Sequence, residues 1–397
     1  MNVIKMIAGD TPKQAWQRLL LYILFICLYL DLGGALGVRF IALVIIFGSL
    51  LFHPPALLNA LKSPFVFAIF LIWPFIAATI GIAGGADLAL AFQNSVALLS
   101  FPVLVAFFSI FQLKDSLWAI QRAALTAAVV TCVFWLAILM NSFSALAMAE
   151  KLSEMEVGFF GLRELGGLSF SVVYFKATLF YVSAGVLLIA EKRYWALSLV
   201  LLALMAAMSK TGVMVIFVVL FARVFKSRPI LMVTLMTIGS LIVLAGADYS
   251  AILNVFTALS GDTNTVDVRL DHWDSLVSFF EENPISFIFG QGAGTMFYSV
   301  AAGEYVNNIE LDHLNSIRKF GVIWFGVFSL FVGYVSYALF KGNEKWLSMA
   351  LVITFIICGT NPVLLTLLFM SILSICYVAV SQSRYSKLSA ASNCGIV

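Results

Sequence analysis

Asp267, Arg269, Asp271, His272, Asp274, Glu281 and Glu282 crowd the stretch NTVDVRLDHWDSLVSFFEENP (264–284), in a chain that is only 11% charged. Leu270, Trp273, Leu276, Val277 and Phe280 recur at spacings of three and four, so 269–282 is predicted to be an amphipathic helix. Asp267 is its expected N-cap and Asn283–Pro284 its stop. Trp273 and the Phe pair suit the headgroup level of a bilayer. Arg269 then falls in the first turn, where the helix dipole favours anions. A cation beside free backbone N–H groups suits an anionic ligand. The bland alternative is a surface arginine paired with Asp267, Asp271 or Asp274.

A second group of reactive residues lies in NNIELDHLNSIRKFGVIWFG (307–326). Glu310, Asp312 and His313 precede an apolar run, and Arg318 and Lys319 open it. Histidine serves as a base near neutral pH; a surface histidine beside an aspartate is the competing reading. Between the two groups, FGQGAGT (289–295) is glycine-rich without the Lys–Ser/Thr of a phosphate loop, and reads as a flexible loop that lets backbones approach. Earlier in the chain, Arg163 and Glu164 stand just before an apolar run. Lys176 falls within that run, roughly 10 Å deep at 1.5 Å per residue, where a lysine is expected to face a cavity or a partner. Lys210, in MSKTG (208–212), contacts an anion or snorkels; its likeness to a phosphate loop is accidental.

The elements that must hold these residues follow from composition. The 397 residues are 62% hydrophobic and include 36 Phe, with a mean hydropathy of +1.04. One soluble core cannot hide so much apolar surface, whereas lipid solvates it. Twelve apolar segments are read at 16–31, 34–52, 65–84, 88–111, 117–140, 168–190, 194–208, 211–225, 229–247, 316–340, 346–358 and 361–380. The fold class is therefore an all-α polytopic integral membrane protein of about 12 helices, a single domain over 1–397.

Most of the 23 basic residues fall into one set of loops if both termini are cytoplasmic. Lys5, Lys192–Arg193, Arg223–Arg228, Lys341–Lys345 and Arg384 all lie inside in this frame. Arg318 and Lys319 then sit at an outside boundary, against the usual bias. Two outside loops are long, 141–167 and 248–315, and the larger holds half of the 20 acidic residues. No polybasic run signals nucleic acid. Cys27, Cys132, Cys358, Cys376 and Cys394 show no metal or redox spacing and read as core or lipid-facing thiols. No metal constellation or nucleotide-sugar motif is seen, and no cofactor is expected.

VRLDHWDSLVSFFEENPISFIFGQGAGT resembles the Arg…Trp…Asn-Pro…Gly-x-Gly stretch of the large periplasmic loop in bacterial O-antigen polymerases (Wzy) and O-antigen ligases (WaaL). DHLNSIRKFGVIWFGVF resembles their His-Asn…Leu…Gly-Leu/Ile-x-Gly segment, although the His-Asn pair is split here as His313-Leu314-Asn315. AMSKTG resembles their Ser-Arg/Lys-Thr turn, and LRELGGLSFSVVYFKATLF the arginine-bearing end of their smaller periplasmic loop. The resemblance covers roughly 155–340. It implies a GT-C-like fold in the bacterial inner membrane, with the active site on the periplasmic side. Polyprenyl-diphosphate-linked oligosaccharides would be donor and acceptor, membrane lipids would surround the chain, and a chain-length regulator protein is the expected partner. It further implies Arg269, Arg163 and His313 as catalytic residues. Arg318, Lys210 and Lys176 would help hold the diphosphate, with Glu310, Asp312 and Glu164 as substitute bases or glycan contacts. Polymerase is favoured over ligase; a lipid-linked oligosaccharide flippase or a secondary transporter is the rival class.

Overall fold

Thr11 starts the first described helix, α1 (Pro12–Leu30). Its Oγ1 accepts the Gln14 N–H while the Gln14 side chain returns to the Thr11 N–H, and Pro12 occupies a position that needs no donor. The computed structural model describes residues 11–155, 157–165, 168–227, 263–359 and 361–393. The predicted span 229–247, the head of the larger loop from Asp248, and Lys5, Arg228 and Cys394 lie outside them.

Asp31 ends α1. Its buried carboxylate accepts the Leu36 and Arg39 N–H groups at 3.0 and 3.2 Å and turns the chain into α2 (Arg39–Leu51). Pro54 and Pro55 break the apolar run, so α2 meets α3 (Pro54–Leu61) at 97°. In α4 (Pro64–Ala83) a π-helical turn at Ala68–Ile72 precedes Pro74, whose missing N–H prevents a regular ladder. α5 (Leu88–Ser109) and α6 (Leu113–Leu139) follow.

The predicted outside loop 141–167 contains a helix, α7 (Phe143–Glu154), and a strand, β1 (Gly158–Leu165). β1 pairs antiparallel with β2 (Leu168–Phe175), Arg163 standing opposite Phe170. The predicted span 168–190 therefore begins as a strand. LSFSVVYF alternates and is rich in β-branched and aromatic residues, which is strand chemistry. A 3₁₀ turn (Lys176–Phe180) then leads into α8 (Tyr181–Ala190). Lys176 is thus the first residue after the hairpin rather than one deep in a helix. α9 (Tyr194–Ala206) and α10 (Lys210–Ser227) complete this half.

The second half opens with α11 (Thr263–Glu282), α12 (Pro284–Phe289) and a short hairpin, β3 (Phe297–Ser299) with β4 (Glu304–Val306). Then come α13 (Asp312–Lys341), α14 (Lys345–Cys358) and α15 (Leu367–Asn393). The described chain is mostly helical. Among the described residues four helices, α4, α5, α6 and α13, are long and apolar enough to cross a membrane, or five if the bent α2–α3 pair is one span. The apolar segments Lys176–Ala190, Tyr194–Ala206, Lys345–Cys358 and Leu367–Ser383 are shorter. The described cysteines are free and buried.

Phenylalanine supplies much of the interior. Phe70 stacks on Phe101 at 3.9 Å, edge-on to Phe328 and Phe331, and Trp324 stacks on Phe328 at 5.0 Å. Lipid removes most of the hydrophobic gain from helix association, so close van der Waals fit of this kind holds the bundle.

One break in α13 positions the polar residues. Gly321 has φ +85° inside the helix. The carbonyls of the residues before it turn to outside donors. Arg318 O accepts the Gln291 N–H, Lys319 O the Gly292 N–H, and Phe320 O the Trp73 Nε1–H at 2.8 Å. The glycine-rich segment 290–294 is thereby clamped against the break. Gly290, Gly292 and Gly294 all have positive φ, and a Cβ on Gly292 would lie 2.3 Å from the Gly81 nitrogen. The expected flexible loop is a buried joint between α13, α4 and α5. Its glycines do permit close backbone approach.

Candidate functional site

Arg318 projects from the short helical stretch before the Gly321 break and is fully buried. A guanidinium has five N–H donors, and each is taken here. Nε and Nη2 donate to Asn315 Oδ1 at 3.2 and 3.0 Å. Nη1 donates to Gln291 Oε1 at 2.7 Å and Thr295 O at 3.0 Å, and Nη2 also donates to Asn307 O at 2.7 Å. The cation lies over the Phe297 ring at 4.6 Å. Taking such a charge out of water costs several kcal/mol. Hydrogen bonds to a charged group return about 1.5–3 kcal/mol each, so saturation is what keeps Arg318 buried. All its acceptors are neutral. It joins α13, the glycine joint and the β3–β4 hairpin.

Lys319 is equally buried, and its Nζ donates to the amide oxygens of Asn94 and Asn308. Among the described residues neither Arg318 nor Lys319 makes an ion pair. Two adjacent basic side chains therefore sit in a cage of amides at one end of a membrane-long helix. The side-chain amide of Asn307 is buried there too, without a hydrogen-bond partner.

Arg269 is the opposite case. Its Nε donates to Glu310 Oε2 at 3.1 Å, with the two side chains 35% and 43% exposed. Neither Nη group has a partner among the described residues. An ion pair this open is worth about 0–1 kcal/mol, so its geometry contributes orientation more than stability. α11 starts at Thr263, which corrects the expected start near Asp267. Arg269 is in the second turn, away from the free N–H groups of the helix start, so the helix-terminus argument for it falls. Glu310 orients it instead.

His272, one turn after Arg269, is buried, and its Nδ1 lies 2.8 Å from Ser299 Oγ on β3. Burial lowers its pKa; the Glu310 and Asp271 carboxylates oppose that shift. This histidine, rather than His313, neighbours the Arg269–Glu310 pair.

His313 packs against α14. Its Nε2 lies 3.0 Å from Phe355 O and its ring stacks on Phe355 at 4.8 Å. A carbonyl only accepts, so Nε2 carries the proton and Nδ1 the lone pair. Asp312 is buried and accepts the Leu364 N–H at 2.6 Å, tying α13 to the turn before α15. Lys176 is half-buried, its Nζ beside the Gly33 turn between α1 and α2. Lys210 opens α10, after Met208 in a left-handed conformation. Arg163 and Glu164 are in β1, where the structure describes their backbone alone.

The larger loop and the start of α13 thus hold Arg269, Glu310, Arg318 and Lys319 in two groups, Arg269 paired with Glu310 and Arg318 and Lys319 caged by amides, with the segment Asn307–Glu310 contributing to both. No described contact joins His313, Lys210 or Lys176 to them. Lys319, Asn94, Asn307, Asn308, Gln291 and His272 complete the cluster and are absent from the expected site. Five of the six are neutral or ambiguous residues in sequence, and Asn94 is remote on α5. Lys319 alone carried a signal, as a second cation at an outside boundary. Among the described residues no group of three His, Cys, Asp or Glu side chains forms a metal-binding cluster. No protein-family model matches the chain, and no curated protein is significantly similar to it.

Proposed function

We propose that the protein is a GT-C-like glycosyltransferase of about 12 spans, with both termini cytoplasmic, that works on the periplasmic face of the bacterial inner membrane. It joins polyprenyl-diphosphate-linked oligosaccharide repeat units as an O-antigen or related polysaccharide polymerase. The motif resemblance over 155–340 supports the class. The observation that carries the chemistry is Arg269: about a third exposed, aimed by Glu310 through Nε, with both Nη groups unengaged among the described residues.

In this reading the Nη groups take diphosphate oxygens bidentately, a geometry lysine lacks. The acceptor hydroxyl oxygen bonds to the anomeric carbon. The bond from that carbon to the diphosphate oxygen breaks, and the leaving diphosphate keeps the electron pair. The hydroxyl proton passes to Glu310, the one expected base that touches Arg269. Stabilising the departing charge is the main catalytic term. Arg163 supplies a second cation, with Lys210 and Lys176 as helpers. Arg318 contributes positive potential, and Arg318 and Lys319 together hold the scaffold.

The test uses purified protein in nanodiscs with a synthetic polyprenyl-diphosphate repeat unit. Wild type is expected to give a product ladder. Arg269→Ala should lose it by at least 100-fold, as removal of one transition-state charge contact does, while keeping its thermal unfolding midpoint. Arg318→Ala should lose both product and folding. Glu310→Gln should abolish product while His313→Gln leaves it within about tenfold; the reverse result moves the base to His313. A ladder from Arg269→Ala would sink the reading. Single transfer to lipid A-core, with no ladder, would make the protein a ligase. Unaltered donor under every condition would point to a flippase.

A further inference from the structure

α11 presents three stripes. His272, Ser275 and Leu276 face the protein and are buried, Ser275 giving its Oγ to the Val300 N–H at 3.0 Å. Asp271, Asp274 and Glu281 form an exposed acidic stripe. Leu270, Trp273 and Val277 form an exposed apolar stripe between the two, with Trp273 49% exposed. The helix is thus partly inverted. It buries a histidine and a serine against the β3–β4 hairpin and leaves most of its apolar residues uncovered. α12, which follows directly, is apolar and exposed as well: Ile285 is 73% exposed, Phe287 and Ile288 40% each and Phe289 51%.

We propose that α11 and α12 lie in the boundary between hydrocarbon and headgroups, with the bilayer itself as the occupant of this apolar surface. Two observations favour lipid over another protein. First, the surface is continuous with a membrane-long helix. Gly290, just after α12, abuts the Gly321 break of α13, where a Cβ would meet Lys319 O at 2.6 Å. Beyond that break Ile323 and Leu330 of α13 are exposed as well. Second, the exposed surface of α11 divides lengthwise into an apolar stripe and an adjoining carboxylate stripe, so the helix can seat the first in hydrocarbon and keep the second toward water. The acidic stripe repels anionic lipid, so apolar contact holds the surface down, and added salt, which screens that repulsion, should not release it.

Arg269 stands one turn before both His272 and Trp273, which puts it on the seam between the buried and the apolar stripes. A headgroup-level phosphate reaches that seam without leaving the membrane. This consequence rests on the proposed reaction; the docking of the helices does not.

Nitroxide labels at Trp273→Cys, Val277→Cys, Asp274→Cys and Glu281→Cys, each in Cys394→Ser full-length protein in nanodiscs, test the depth; the four native cysteines described are buried. Positions 273 and 277 should collide preferentially with oxygen, and 274 and 281 with a water-soluble nickel chelate. Equal nickel access at all four positions would overturn the proposal. So would shielding of 273 and 277 from both agents, which would indicate a second protein chain over the stripe. For the seam, Trp273→Asp should raise the KM for a long-chain lipid-linked donor several-fold and leave that of a water-soluble short-chain donor unchanged. An equal rise for both would remove the seam while leaving the depth result intact.

Discussion

Arg269 and Arg318 carry the same group, and their surroundings give them opposite work. Arg318 has every donor satisfied by a neutral acceptor and no exposed surface. Arg269 has one donor committed and, among the described residues, the rest open. Residue type and a position outside the membrane made both look like phosphate ligands; counting donors separates them. His272 shows the same dependence on surroundings. Burial depresses its pKa below the ordinary ~6.5, so the folded protein holds it neutral against Ser299. The unfolded chain binds the proton more readily, and stability therefore rises with pH across this window. The contribution is complete above pH ~6.5 and is lost as pH falls through the depressed value. The groups around the ring, Glu310, Asp271 and Arg269, lie on its own helix and at the end of the β3–β4 segment. Protection of 297–306 against hydrogen exchange, corrected for the intrinsic pH dependence of the amide rate, should fall as pH drops below ~6.5 in wild type and lose that pH dependence in His272→Gln. Protection that is flat with pH in wild type would refute the coupling.

At the scale of elements, the glycine joint is the clearest case of sequence and packing acting together. Gly292 combines φ +105° with a backbone contact, since a Cβ would sit 2.3 Å from the Gly81 nitrogen. Gly303, in the β3–β4 turn, has φ +68° and open space around it. Alanine at Gly303 meets only the left-handed backbone penalty, about 1–2 kcal/mol. Alanine at Gly292 adds a clash with backbone that cannot rotate away. Thermal unfolding in detergent should therefore show a clearly larger loss for Gly292→Ala than for Gly303→Ala. Equal losses would mean that the joint does not transmit packing between α13 and α4. The β1–β2 hairpin teaches a different lesson. Its apolar run was long enough to join a predicted span, and only its period of two distinguished it. Lys176 changed location with that reassignment.

At the scale of the whole molecule, the long apolar helices point to a membrane protein, and the pattern of basic residues proposes its orientation. The proposed topology puts the Lys192–Arg193 turn inside and the β3–β4 hairpin outside. It also requires an odd number of crossings between α10 and α11. In intact spheroplasts, a membrane-impermeant maleimide should label Gly303→Cys and leave Lys192→Cys unlabelled until the membrane is opened. The opposite pattern would invert the frame and put the Arg269 cluster in the cytoplasm, where the proposed donor chemistry does not belong.

Membrane class, the helical character of most apolar segments, the amphipathic helix near 269–282 and the presence of basic residues around it were all legible from the chain alone. These depend on composition and local period, which every short stretch carries within itself. Which arginine is open, which histidine neighbours it, and which loop is a joint were decided by tertiary structure. Arg318 meets acceptors from 291, 295, 307 and 315, and Lys319 reaches back to Asn94. The break at Gly321 matters because Trp73 and the 290–294 segment arrive to take its carbonyls. Donor saturation and burial are properties of groups brought together across the chain, so no local pattern contains them.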